Sequence, residues 1–156
     1  MLPGMVIVVP FDGTDLATTA LLHAENASKL YADPVVALTA IPRGNVKYAR
    51  DRRWLSADEP FDMETIVARL RGQVAEAVPE SEFRHLSVPR YSSTGAISSQ
   101  LRRFAKDLDA SAVFIGSENA GRIVVGMGSV GGRVAADLEY DVAIIRQSLS
   151  EADFAS

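Results

Sequence analysis

Met5-Val-Ile-Val-Val9 places four consecutive β-branched residues in a run of five, and short apolar runs of this kind recur four more times along the chain. Such a run suits a strand covered on both faces better than it suits a helix. The others are Pro34–Ile41, Phe83–Val88, Ser111–Ile115 and Asp141–Arg146. Phe83–Val88 differs from the rest. It alternates apolar with polar residues and reads as an edge strand. Between the runs lie stretches with helical periodicity. Asp15 to Tyr31 carries Leu16, Ala20, Leu21, Ala24 and Ala27 on one stripe, with Thr14 placed to cap its start. Phe61 to Val78 and Thr94 to Leu108 read as two further helices, and Ser129 can cap a last one through Leu138. Residues 43–60 show no clean period and read as a long loop.

Strand–helix alternation with buried strands predicts an α/β fold, a five-stranded parallel sheet with helices on both faces. At 156 residues the chain has the length of one domain, long enough to bury roughly two thirds of its unfolded surface. Residues 1–146 form that domain, and 147–156 read as an acidic tail. The balance of 16 basic to 20 acidic residues argues against a nucleic-acid partner. With no cysteine there is no disulfide framework, thiolate nucleophile or Cys-ligated metal. No run approaches the ~20 apolar residues of a membrane helix. The N-terminus lacks the basic n-region of a signal peptide, so the expected place is the cytoplasm.

In a parallel sheet of this type, ligands gather outside the carboxyl ends of the strands. Here those ends are Pro10–Thr14, Ala40–Gly44, Pro89–Gly95 and Gly116–Ser129. The last is the richest in signal, with six glycines between Gly116 and Gly132. Glycine lets backbone N–H groups approach a phosphate, and a helix N-terminus adds partial positive charge. The bland alternative is a glycine-rich loop with a tight helix–sheet contact. Gly126-Met-Gly128-Ser-Val-Gly131 also fits G-x-G-x-x-G. Only 25 residues follow Gly131, too few for the rest of a dinucleotide domain. Neither a Gly-Lys-Ser/Thr phosphate loop nor a G-x-S-x-G nucleophile elbow occurs.

Asp12 follows the first strand directly and has two readings, an acceptor for a base or ribose and a turn former beside Gly13. Arg43, Lys47, Arg50, Arg52 and Arg53 against Asp51 give 43–53 a local charge of +4, with Tyr48 and Trp54 close by. The segment can hold phosphates or stack on a base, or it can be a solvated loop. His23 and His85 read as structural.

The closing segment Gly128-Ser-Val-Gly-Gly-Arg-Val-Ala-Ala-Asp-Leu-Glu-Tyr-Asp-Val-Ala-Ile-Ile-Arg146 resembles that of the universal stress proteins. The opening Ile7-Val-Val-Pro-Phe-Asp12-Gly-Thr and Leu108-Asp-Ala-Ser-Ala-Val-Phe-Ile-Gly116 are similar to that family's first and fourth strands. The resemblance spans about residues 5 to 146. It implies the adenine-nucleotide alpha-hydrolase-like sheet, a homodimer through the last strand, and a stress-response regulator instead of an efficient catalyst. Family members that bind ATP carry G-x2-G-x9-G-[ST]. Gly116 matches the first glycine and Gly128-Ser129 the closing pair, whereas Asn119 replaces the second glycine and the following spacer is one residue short. By resemblance, Pro10, Asp12, Ala40, Ile115, Gly116, Asn119, Gly128, Ser129 and Val130 form a nucleotide site, with ATP and magnesium as the implied ligand. A nucleotide-free dimer acting on a protein partner is the alternative.

Overall fold

The computed structural model describes residues 6–116 and 140–145. In chain order it contains β1 (Val6–Pro10), α1 (Asp15–Tyr31), β2 (Val35–Pro42), α2 (Val46–Asp51), α3 (Met63–Ala77), β3 (Glu82–Val88), α4 (Thr94–Asp107), β4 (Ala110–Gly116) and β5 (Asp141–Ile145). The strands form one sheet in the order β3-β2-β1-β4-β5, and every pairing is parallel. All five expected strands are present, and the alternating one, β3, lies at an edge.

Both faces of the sheet are covered, which is why β1, β2 and β4 do not alternate as the edge strand β3 does. Ile7, Val9 and Phe11 pack on one face with Ala20 and Leu21 of α1 and Ile66, Leu70 and Val74 of α3. Val8, Leu38, Val113 and Ile115 pack on the other with Ala105 of α4. The assignment of helices to faces follows from handedness. The chain steps outward from β1 to β2 to β3, then returns to place β4 on the far side of β1. A right-handed crossover taken in the reverse direction puts its helix on the opposite face. The gap between β1 and β4 is therefore the switch point of the sheet.

Helix ends follow local chemistry. Thr14 caps α1 by accepting from the Ala17 N–H, as its sequence position predicts. Asp62 caps α3 through the Glu64 N–H, so that helix starts at Met63 and not at Phe61. The expectation of an unbroken loop over 43–60 is corrected by α2. Asn45 caps it through the Tyr48 N–H, and its six residues bury only Ala49. A helix that short presents too few turns for an apolar period to show. The expected helix from Ser129 and the acidic tail lie outside the described residues.

Candidate functional site

The site begins where β1 stops. The Phe11 N–H still reaches the Leu38 carbonyl (2.8 Å), and the buried Thr39 hydroxyl donates to the Phe11 carbonyl. These two bonds carry the strand's geometry past its last ladder position and hold Asp12 at the sheet's edge. Asp12 then builds the turn. Its Oδ1 accepts from the Thr14 N–H (3.0 Å) and the Thr14 hydroxyl (2.7 Å), while Gly13 takes φ +86°. A left-handed backbone there suits glycine. The turn-forming reading of Asp12 is thus realised, and the same side chain also lines a cleft.

That cleft, about 190 Å³, opens at the carboxyl ends of β1, β2 and β4, where the switch point places it. Pro10, Asp12, Ala40, Ile115 and Gly116 all line it, four residues from three strands and Asp12 from the turn after β1. Asn119, Gly128, Ser129 and Val130 lie outside the described residues. Gly116 has a packing reason of its own. A Cβ at this position would sit 2.0 Å from the Leu16 carbonyl oxygen, because the first turn of α1 presses against the end of β4.

The opposite wall comes from the segment after β2. Arg53 adopts a left-handed backbone (φ 62°) and the Trp54 N–H reaches back to the Ala49 carbonyl (2.9 Å), a helix-terminating turn that reverses the chain. Trp54 is thereby driven inward until it is 3% exposed. Its indole N–H donates to the Asp12 carbonyl (2.8 Å), which ties this wall to the β1 turn. Tyr48 packs against Trp54 with ring centroids 5.6 Å apart. The Arg52 guanidinium lies over the Tyr48 ring, its Cζ 3.4 Å from the centroid. Burial raises the Tyr48 hydroxyl pKa above its ordinary value; the Arg52 charge opposes this and the Asp12 charge adds to it.

Behind the wall, one ion pair organises the irregular stretch. Arg69 grips Glu59 with both guanidinium ends (2.7 and 2.8 Å) and donates to the Trp54 carbonyl (2.9 Å). Glu59 also accepts from the Ser56 N–H (2.7 Å), and its carbonyl accepts from Arg50 (2.7 Å). Hydrogen bonds from Arg69 and from Ser56 hold the Glu59 carboxyl down to about 2.

Of the basic run 43–53, only Arg52 reaches the cleft. Lys47 pairs with Asp51 (3.2 Å), and Arg50 serves the Glu59 carbonyl. The third side is α4, whose Thr94, Ile97, Ser98 and Leu101 complete the lining. These α4 residues had no signal in the sequence beyond belonging to a helix that follows a strand end. Neither histidine lines the cleft; His85 stacks on Phe83 at 6.4 Å on the far edge strand. Among the described residues no group of three or more His, Asp or Glu side chains could hold a metal ion, and no helix is long and apolar enough to cross a membrane. The titratable lining groups are Asp12, Tyr48 and Arg52. They form a site suited to holding a planar, polar, charged molecule. The described lining residues include no imidazole or lysine.

Comparison with solved structures returns the same architecture. A universal stress protein from Archaeoglobus fulgidus in complex with dAMP matches with a TM-score of 0.54 and 19% identity, over 91% of this chain and 98% of the other. A universal stress protein in complex with cAMP matches with a TM-score of 0.53 and 20% identity, over 92% and 98%. One from Lactobacillus plantarum gives 0.52 and 18%, over 94% and 100%. Comparison with curated proteins returns no match. At these identities the solved structures establish a shared fold. The family pattern of the universal stress proteins goes further, since it matches residues 5–146 from the first strand to the last, and the chain belongs to that family.

Proposed function

We propose that the cleft binds an adenine nucleotide, ATP or a related one, and that the protein is a cytoplasmic stress-response sensor or regulator, not an efficient catalyst. The observation that carries this is the convergence of Pro10, Ala40, Ile115 and Gly116 from three strands, and of Asp12 from the turn after β1, onto one cleft at the switch point. Two relatives of the same fold were solved with dAMP and cAMP, which supports the adenine class of ligand. The lining supplies apolar surface for a base from Pro10, Ala40 and Ile115, and Asp12 as an acceptor. Gly128-Ser129 would receive the phosphates, with Asn119 standing where ATP-binding relatives have glycine. Magnesium would arrive with the triphosphate, since the described lining offers it one carboxylate, Asp12. No described lining residue is a lysine, or a base placed to orient an attacking water, which is why turnover is expected to be slow.

The test is a thermal melt with ATP, AMP, NAD or no ligand, in magnesium. A ligand that binds only the folded state, at 100 times its Kd, adds about 2.7 kcal/mol and raises Tm visibly. A rise with ATP or AMP that the Asp12→Ala variant loses supports the reading. No rise with any nucleotide overturns it. That result favours a nucleotide-free homodimer acting on a protein partner, a reading motivated by β5. Among the described strands it pairs with β4 alone, and its residues Val142 to Ile145 are half-buried. A scattering mass of 16.8 kDa at micromolar concentration would reject the dimer.

A further inference from the structure

Arg52 is the single cation among the described residues that line the cleft, and it stands outside every position that the family pattern assigns to the nucleotide. Its orientation is set by an aromatic face and not by a carboxylate. Its Cζ lies 3.4 Å from the Tyr48 ring centroid, a cation–π contact that leaves the guanidinium N–H groups available to a ligand. No described residue accepts a hydrogen bond from that side chain, and no described carboxylate is within ion-pair distance. Its neighbours are committed, Lys47 to Asp51 and Arg50 to the Glu59 carbonyl. Tyr48 is in turn fixed by Trp54, and Trp54 by the Asp12 carbonyl, so the cation is held in register with the β1 turn.

From α4 a second polar group enters the same cleft. Ser98 is 4% exposed, and no described residue hydrogen-bonds its hydroxyl. Ser98 lines the cleft, so its hydroxyl is within the region that a bound molecule would occupy.

We propose that Arg52 and Ser98 are specificity-determining residues of this cleft: Arg52 binds an anionic phosphate oxygen of the ligand, and Ser98 hydrogen-bonds a polar atom of its nucleoside part. This rests on the adenine-nucleotide reading and deepens it. Selection for a phosphorylated nucleoside over a bare one is placed on α2, separate from the glycine-rich segment that follows β4. A guanidinium–phosphate contact is charge-assisted, and its loss costs a tenfold factor or more. A hydroxyl to a neutral atom is worth less, roughly fivefold.

Trp54 is the only tryptophan in the chain and lines the cleft, so its fluorescence reports occupancy directly. Adenosine, AMP and ATP with magnesium are titrated into the wild type, Arg52→Gln, Arg52→Lys and Ser98→Ala, each checked for an unchanged thermal midpoint. The wild type is expected to bind AMP at least about tenfold more tightly than adenosine. Arg52→Gln lowers that ratio by weakening AMP and sparing adenosine. Arg52→Lys keeps much of the ratio, and Ser98→Ala weakens adenosine and AMP by the same factor. Should Arg52→Gln not fold, raised salt serves instead, because screening must weaken AMP and spare adenosine. An AMP-to-adenosine ratio that Arg52→Gln leaves unchanged overturns the assignment of Arg52, and adenosine binding unaffected by Ser98→Ala overturns that of Ser98. Wild type that binds none of the three ligands overturns the nucleotide reading itself, a different and separable failure.

Discussion

Two opposing walls enclose the cleft, and they are held in different ways. Pro10, Ala40 and Gly116 end strands whose backbones are locked in a continuous parallel ladder, with apolar side chains packed on both faces of the sheet. Residues 52–62 have no ladder. Trp54 is tied by its indole hydrogen bond to Asp12, its own N–H to Ala49 and its carbonyl to Arg69, and the stretch behind it is held by the Arg69–Glu59 pair. A ladder fails as a unit, whereas side-chain ties can open one at a time. The strand wall is therefore the rigid reference against which the α2 wall can adjust to a ligand. Substitutions in the two walls should differ in kind as well as in size.

The largest effect is expected at Gly116. A Cβ there meets the Leu16 carbonyl at 2.0 Å and its carbon at 2.6 Å, both backbone atoms that cannot rotate away. Gly116→Ala must push α1 from β4, at a cost of about 3 kcal/mol. Urea denaturation measures it. A loss below about 1 kcal/mol would mean that α1 is free to shift, and the strand wall would lose its claim to rigidity.

Next comes Trp54→Phe, which keeps an aromatic ring but leaves the Asp12 carbonyl without its indole donor. The expected cost is about 2 kcal/mol. The pattern matters more than the size. Hydrogen exchange should speed at amides 52–59 and leave the β1 and β2 amides unchanged, since only the α2 wall is released. Acceleration across the whole sheet would erase the distinction between the walls.

Thr14→Ala acts on the strand side with a smaller effect. It removes the hydroxyl that accepts from the Ala17 N–H and donates to Asp12 Oδ1. The loss is about 1 kcal/mol by thermal melting, and Thr14→Ser should recover most of it.

The unequal legibility of the two walls has the same origin as their unequal construction. Val6 to Val9, Pro34 to Ile41 and Ser111 to Ile115 announce strands because inner strands covered on both faces read as near-continuous apolar runs rich in β-branched residues. Asp12, Gly13 and Thr14 are readable because their hydrogen bonds close within three residues. Five of the nine residues named for the site follow from these features together with the family resemblance, and they do meet at the cleft. The α2 wall depends on contacts that no local pattern encodes. Trp54 meets Asp12 across 42 positions, and Arg69 meets Glu59 from a different helix. The basic run 43–53 drew attention through its charge, yet four of its five cations lie outside the cleft lining. Only the fold singles out Arg52, by the turn at Arg53 and the stacking on Tyr48. Ser98 is invisible for a simpler reason: a serine within a helix has no signature until the helix is docked.

The smallest expected effect is also the one most specific to the α2 wall. Glu59 is held down to about 2 from an ordinary value of 4.5, first by the Arg69 hydrogen bonds. A carboxyl whose folded-state pKa is depressed binds fewer protons folded than unfolded in the interval between the two values. Its contribution is therefore complete above about 4.5 and is lost progressively as pH falls toward 2. The pair is partly solvent-exposed, so the effect is modest and weakens with salt. Asp58, also lowered, by its hydrogen bond with Ser56, adds to the same limb with the same sign. Melting curves between pH 5 and pH 2 should show a smaller fall in Tm for Glu59→Gln than for the wild type, because the variant has no carboxyl to protonate there. Trp54 emission should shift in the wild type over that interval, as release of Arg69 frees the Trp54 carbonyl that it also holds. Identical acid limbs in the two proteins would show that this wall does not depend on the Arg69–Glu59 tie, and its order would then rest on the indole bond to Asp12, the Trp54–Ala49 turn bond and the packing of Trp54 on Tyr48.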